Sequence, residues 1–439
     1  MNARPLRNID LDAALADAER RYADANPGSR EAFEAACKAL PGGNTRSGLY
    51  FPPFPLALAR GEAARVWDVD GHAYTDFVVE YTAGLYGHSN PAITAAVKRA
   101  LDDGIVLGGP NRNEARFAEA LCARIPSLEL VRFCNSGTEA NLMALGATRA
   151  ITGRDKVMAF DGAYHGGVLN FRAGGAPINA PFRFVMARYN DTDATLALID
   201  EHARDLAAII VEPMIGAGGC IPGDRDFLAG LRAASERHGV ILVFDEVMTS
   251  RLAPGGLQEA HAITPDMTTL GKYLGGGLSF GAFGGRADIM ARFDPRKPGA
   301  FPHSGTFNNN VLTMAAGLAG ITEVYTPEAC DALNAAGDAV RERLNAVMRK
   351  HAVAAQVTGR GSMSSVHFRG GEIRSPGDAA QGDMTARALF HIELILRGQY
   401  TSRYGMINLS LPMAGPDLDG LVAAVDDVIA EHAPVLAAA

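Results

Sequence analysis

From about Glu80 onward the chain alternates short, mostly apolar runs with longer stretches of helical texture. The runs cover 130–134, 156–160, 206–211, 240–244 and 278–283, and stretches such as 140–150 and 227–238 have helical composition and length. Strands with no polar alternation are those buried on both faces, so this texture predicts a mostly parallel sheet with helices on either side. Upstream, residues 9–25 read as a polar amphipathic helix, followed by a Pro/Gly-rich stretch over 41–55. Two short strand patterns, 66–69 and 72–77, flank Asp70-Gly71, a strong hairpin signal. After about Gly320, helical material leads to a strand-like region over 353–368 and a final helix. In that helix Leu418, Leu421, Val422, Val425, Val428 and Ile429 recur at helical spacing. The expected class is α/β, with an N-terminal segment (1–79), a large domain (80–319) and a smaller α+β domain (320–439) that the N-terminal segment completes.

Composition narrows the functional classes. A chain of 439 residues with 48% hydrophobic and 21% charged residues is an ordinary folded protein, long enough for two domains. Its 41 basic and 49 acidic side chains leave a net charge of −8, a poor general match for nucleic acid or an anionic membrane. No apolar run approaches the roughly 18 residues of a spanning helix, and residues 1–15 lack a secretory apolar core. The five cysteines, Cys37, Cys122, Cys134, Cys220 and Cys330, are odd in number and scattered. That pattern argues against a disulfide framework or a metal site and for a reducing cytoplasm. Forty-nine glycines are the one excess, and they cluster where the apolar runs end.

In an open parallel sheet, ligands bind beyond the carboxyl ends of the strands. After 130–134 comes Asn135-Ser136-Gly137-Thr138-Glu139, where Ser136 and Glu139 form a capping-box pattern. The free N–H groups of that helix start, with the Ser136 and Thr138 hydroxyls, suit a phosphate; alone, the motif is an ordinary cap. After 156–160, Tyr164-His165 lies in a glycine-rich loop, either stacking on a planar ligand or plugging the loop onto the core. Glu212 and Asp245 follow apolar strands. Glu212 reads equally well as a turn residue, whereas Asp245 has apolar neighbours and suits a cationic nitrogen. Lys272 stands alone among apolar residues and glycines. Surface exposure is the default for a lysine, yet desolvation there would make its amine nucleophilic toward an aldehyde. Taken together, a phosphate cradle, an aromatic plate, an aspartate for a ring nitrogen and a nucleophilic lysine describe pyridoxal 5′-phosphate.

On these residues the sequence resembles the class III aminotransferases of the fold-type I pyridoxal-phosphate enzymes, from about Phe33 to the C-terminus. Ser136-Gly137-Thr138-Glu139-Ala140-Asn141, Asp245-Glu246-Val247 and Gly271-Lys272 match that family's motifs in order. Gly275-Gly276-Gly277, Gly281–Gly285 and Ser304-Gly305-Thr306-Phe307 are similar to the branch containing glutamate-1-semialdehyde aminomutase. Asn44-Thr45-Arg46-Ser47, Glu80–Gly84 and Met248–Leu252 are similar to bacterial β-amino-acid aminotransferases of the β-phenylalanine type. Met248 stands where many class III members have Gln.

The resemblance implies that Lys272 holds the cofactor covalently and shuttles a proton, while Asp245 keeps the pyridine nitrogen protonated. Tyr164 and Val247 would sandwich the ring, with Glu212 beside it. Ser136, Gly137 and Thr138 would bind the phosphate, together with Thr306 of a second subunit, so a homodimer with shared sites is implied. Arg46 matches the carboxylate-binding arginine for a β-amino acid donor, with Tyr81 in the substrate pocket. The acceptor, an oxo acid such as 2-oxoglutarate or pyruvate, would meet an arginine near Gly405. Here Tyr404 occupies that spot and Arg403 lies one place earlier. Tyr50, Phe51, Phe54 and Tyr86 are either further pocket residues or core. Open alternatives are a semialdehyde aminomutase, a transaminase of simple amines and a non-catalytic cofactor-binding protein.

Overall fold

The computed structural model describes residues 10–436. Residue 9, where the first helix was expected to start, and the stretch before it lie outside the described residues. Seven strands form the central sheet: β1 (Leu130–Cys134), β2 (Lys156–Phe160), β3 (Arg183–Ala187), β4 (Leu206–Val211), β5 (Ile241–Asp245), β6 (Met267–Gly271) and β7 (Gly281–Gly285). Their spatial order is β1-β7-β6-β5-β4-β2-β3, and only β7 runs antiparallel to its neighbours. Every residue of β4, β5, β6 and β7 is buried, which is why these strands carry no polar alternation.

Four details depart from the sequence reading, the first being that β3 lies on none of the apolar runs. Strand β6 escapes it because Thr268 and Thr269 interrupt the apolar run. Both hydroxyls are satisfied internally, Thr268 by Ser127 and Gln258, Thr269 by donating to Asn141 Oδ1 at 2.6 Å. The run 278–283 becomes a strand only at Gly281, because Leu278 closes a turn onto Gly275. Finally, Val240 belongs to the end of helix Arg225–His238 rather than to β5. Its N–H returns to Ser235, and Gly239 takes the left-handed conformation (φ 61°), a Schellman stop. The strand therefore starts at Ile241, and Asp245 is its last residue.

The C-terminal part holds a three-stranded antiparallel sheet, Gln356–Arg360, Met363–His367 and Met406–Asn408, against helices Pro327–Lys350, Met384–Leu396 and Gly415–Leu436. Strands Arg65–Asp68 and Ala73–Asp76 pair antiparallel around Gly71, and Ala73–Asp76 then pairs parallel with Gln399–Tyr400. Helix Leu11–Ala25 packs on Met384–Leu396, so the two ends of the chain share one apolar cluster. No described helix is long and apolar enough to cross a membrane.

Arg251, just after β5, joins these parts. It is fully buried, donates through Nε to Ser362 Oγ at 3.1 Å, and its guanidinium also reaches the Thr82 and Leu409 carbonyls. Its own carbonyl accepts from Tyr325 and Asn334. Arg251→Met keeps apolar volume but leaves those buried carbonyls unpaired, and should lower the unfolding free energy by about 2–4 kcal/mol. Urea denaturation followed by circular dichroism measures this; an unchanged midpoint contradicts the linking role.

Candidate active site

Strands β1, β2, β4, β5 and β6 run parallel, so their carboxyl ends share one edge, which gathers Ser136, Tyr164, Glu212, Asp245 and Lys272. Asp245, like Glu212, is buried. Its Oδ2 accepts from Asn141 Nδ2 at 2.8 Å and from His165 Nδ1 at 2.7 Å; its Oδ1 accepts from the Val247 N–H at 3.0 Å. Asn141 is itself held, donating to the His165 carbonyl and accepting from Thr269. A carboxylate buried beside apolar strands needs such donors, and here each oxygen has at least one.

Asn141 and His165 were not singled out for these roles from the sequence. Asn141 had a signal, a polar residue on the inner face of an otherwise apolar helix (Gly137–Thr152). His165 had been read with Tyr164 as an aromatic pair for stacking. Instead it is buried under the site, and its Nε2 has no hydrogen-bond partner. Burial alone would push the imidazole down, but Asp245 and then Glu212 outweigh it and hold the ring above its ordinary pKa.

Glu212 organises backbone. Its two oxygens accept from the Tyr164 and Gly216 N–H groups, each at 3.0 Å. Burial pushes its carboxyl up to about 7, with nearby His165 opposing and Asp245 adding to the rise. Tyr164, thus anchored, leaves its ring partly exposed.

Lys272 follows β6 directly and sits in the left-handed region at φ 55°, a strained setting for a residue with a Cβ. No hydrogen bond or ion pair holds its amine among the described residues. Burial lowers its pKa to about 8, with the positive charge of Arg46 adding to the shift. The amine is therefore free at mildly alkaline pH, where an ordinary lysine is still protonated.

At the other end of the site, Ser136 caps its helix by accepting from the Glu139 N–H at 3.1 Å. The expected capping box is only half present, because Glu139 reaches back to the Asn135 N–H instead. The Gly137 and Thr138 N–H groups stay free. Close approach requires glycine twice here. A Cβ on Gly137 would lie 2.8 Å from the Val247 methyls, and one on Gly166 would lie 2.2 Å from Thr138 Oγ1. Val247 is thereby packed onto the helix start.

Among the described residues, no hydrogen bond ties the other candidates to this cluster. Thr306 lines a separate cavity of about 890 Å³ with Asn111, Glu114, His303 and Asn308. Arg46 pairs with Glu80, and its guanidinium lies 5.6 Å from the centre of the Tyr81 ring. Tyr81 donates to the Gly48 carbonyl and accepts from Ser402 Oγ. Arg403 occupies a turn closed by the Gly405 N–H on the Ser402 carbonyl, and donates to the Tyr50 carbonyl at 3.0 Å. Phe51, Phe54 and Tyr86 are core: the first two pack on Tyr22, the third on Tyr273.

A free amine, a carboxylate with three fixed donors, and a helix start with two open N–H groups beside hydroxyls match the demands of pyridoxal phosphate. The Aminotransferase class-III family profile matches residues 50–387. This chain is a class III aminotransferase. Like its family, it is an enzyme that depends on pyridoxal phosphate. The aminotransferase is 53% identical to a β-phenylalanine transaminase of Variovorax paradoxus, over 97% of this chain and 98% of that protein. A crystal structure of a β-phenylalanine aminotransferase from that organism superposes with a TM-score of 0.96, covering 97% of this chain and 99% of the other. A glutamate-1-semialdehyde 2,1-aminomutase of Sorangium cellulosum is 37% identical, over 93% of this chain and 97% of its own.

Bound here, the cofactor supplies an aldehyde for amines and a cationic ring that withdraws electrons. Asp245, fixed by Asn141 and His165, would face the ring nitrogen and hold a proton on it. Lys272 Nζ would be the mobile base for the substrate carbon, a role that its lowered pKa suits.

Two outcomes test this assignment. Cofactor-free protein mixed with pyridoxal phosphate and reduced with borohydride should carry the label on Lys272. The rate of capture should rise through about pH 8, because the amine is protonated below that value and free above it. Peptide mapping that places the label elsewhere rules the role out. Asp245→Asn should retain bound cofactor by absorbance yet lose turnover by orders of magnitude, since the ring nitrogen loses its anionic partner. Wild-type rates in the loaded variant contradict it.

Proposed function

We propose that this aminotransferase moves the amino group of a β-amino acid, aromatic in the manner of β-phenylalanine, to an oxo acid such as 2-oxoglutarate or pyruvate. The observation that carries the reading is Arg46, whose guanidinium lies 5.6 Å from the centre of the Tyr81 ring. The donor's carboxylate is assigned to it. In this structure the guanidinium is engaged by Glu80, but the pair is solvent-exposed and such pairs contribute about 0–1 kcal/mol. A bidentate carboxylate displaces so weak a partner. Residues 79–82, which carry Glu80 and Tyr81, all have positive φ, between 47° and 81°. Such backbone strain clusters at ligand clamps, which supports a substrate role for this segment. Arg403 is assigned to the acceptor's carboxylate, and the likeness to a β-phenylalanine transaminase along 97% of the chain supports the whole.

The enzyme is further assigned as a cytoplasmic homodimer, in keeping with five unpaired cysteines. Thr306 lines a cavity whose lining does not include Lys272, it adjoins exposed Phe307, and Asn309 ties this segment to Gly109. Just before Gly109, Ile105, Val106 and Leu107 are more than half exposed. Clustered apolar exposure marks an interface, and across it Thr306 would complete the partner's phosphate site. An intramolecular aminomutase, the reading that the less similar semialdehyde relatives favour, would need no separate acceptor.

Arg46→Ala should weaken the half-reaction of a carboxylate-bearing donor by about 1.5–3 kcal/mol, the range for a hydrogen bond to a charged group. Arg46→Lys should recover part of it, keeping the charge and losing the fork. Single-turnover kinetics with β-phenylalanine and with 1-phenylethylamine, which has no carboxylate, makes the comparison. Equal losses for both donors would end the β-amino-acid reading.

A further inference from the structure

The guanidiniums of Arg172 and Arg403 both lie over the Tyr404 ring, at 5.1 Å and 5.4 Å from its centre. Arg387, on helix Met384–Leu396, packs its stem on neighbouring Gly405 and faces both of those charges. None of the three makes a salt bridge among the described residues. Arg387 donates to Met384 Sδ, Arg403 to the Tyr50 carbonyl, and Arg172 has no side-chain hydrogen bond. Burial lowers the pKa of Arg387, and the positive charges of Arg403 and Arg172 lower it further. Like charges gathered without a counter-ion repel, most strongly where they are partly buried. In a chain of net charge −8 with many paired arginines, such a cluster calls for an anion from outside.

The cluster adjoins the lysine site by two routes. The Tyr404 N–H donates to Ser402 Oγ, which in turn donates to Tyr81. Arg172 continues the loop that carries Tyr164, whose backbone bridges to Asn170. We propose that Arg172 and Arg387 join Arg403 to form a capture site for small carboxylate anions around Tyr404, which draws such substrates toward Lys272. The net negative protein would otherwise repel them. The ring supplies its face to two of the cations, an arrangement that holds guanidiniums in place while leaving their N–H edges for the ligand. This capture role rests on the reading that the substrates carry carboxylates, and it adds two arginines to which that reading gives no part.

The test uses loaded enzyme and two measurements. Glutarate has carboxylates but no amino or oxo group, so calorimetric titration reports capture without turnover. Arg172→Gln and Arg387→Gln should each weaken glutarate binding about fivefold or more at low ionic strength, and Arg172→Lys should restore part of it. The second measurement is the ratio of single-turnover kcat/KM for β-phenylalanine to that for 1-phenylethylamine. It is taken from about 10 mM to about 150 mM salt, over which the screening length shrinks from about 30 Å to about 8 Å. The wild-type ratio should fall as salt rises, whereas both glutamine variants should start lower and respond less. Glutarate binding and salt response equal to wild type in both variants overturn the proposal. Should β-phenylalanine not react while glutarate binding still depends on Arg172 and Arg387, the donor assignment fails and the capture site stands. Arg172 is on a surface loop, so its variants remain informative if the half-buried Arg387 proves necessary for folding.

Discussion

A carboxylate at the end of a strand buried on both faces must have donors on every side, and satisfying Asp245 organises the rest of the catalytic edge. Asn141 has to come from the helix after β1, His165 from the loop after β2, and the Val247 N–H from the turn after β5. Those bonds draw three separate connections onto one point. Asn141 is then tied to Thr269 of β6, one strand over and three residues before Lys272. Glu212, from the end of β4, fixes the Tyr164 backbone over the same cluster. Replacing the aspartate by an apolar residue would leave buried donors unpaired, each costing about 1–3 kcal/mol, as well as removing the anion.

Charge around the cofactor position is graded rather than neutral. Below lie Asp245 and Glu212 with His165 between them, which holds the imidazole above its ordinary pKa. Burial together with Arg46 pushes the pKa of Lys272 down, against the opposing pull of Glu80, Asp245 and Glu212. Farther along, Arg46 is paired with Glu80, while Arg172 and Arg403 share only the Tyr404 ring, with Arg387 packed on neighbouring Gly405. The backbone is strained at the same places, at Lys272 and over residues 79–82. Packing elsewhere in the chain sustains that strain, including the buried Arg251, whose side chain bonds the Thr82 carbonyl.

Five of the seven central strands and most of the candidate site were legible in the sequence. Runs 130–134, 156–160 and 206–211 match β1, β2 and β4 residue for residue; β4 is buried and apolar throughout, while Arg132 and Lys156 sit on the half-buried parts of β1 and β2. Strand β6 was not legible, because two threonines satisfied by partners far along the chain look in one dimension like a break. The start of β5 was misplaced by one residue, because Val240 is apolar whether it opens a strand or closes a Schellman motif. Phe51, Phe54 and Tyr86 show the same limit. Aromatic composition suits a pocket or a core equally, and packing against Tyr22 and Tyr273 assigned them to the core.

By itself the sequence determined the parallel sheet, the order of chemistry-bearing residues at its strand ends, and the cofactor those residues describe. These follow from local rules: burial demands apolar runs, tight turns demand glycine, and an amine for covalent chemistry demands a lysine. Tertiary structure decided which polar groups meet. The support of Asp245 by His165 and Asn141, the Glu80 partner of Arg46, and the three arginines around Tyr404 join residues up to about 230 positions apart. Hydrogen bonds and charges act over a few ångströms of space, so their pairing is set by how the chain folds back on itself and not by distance along it.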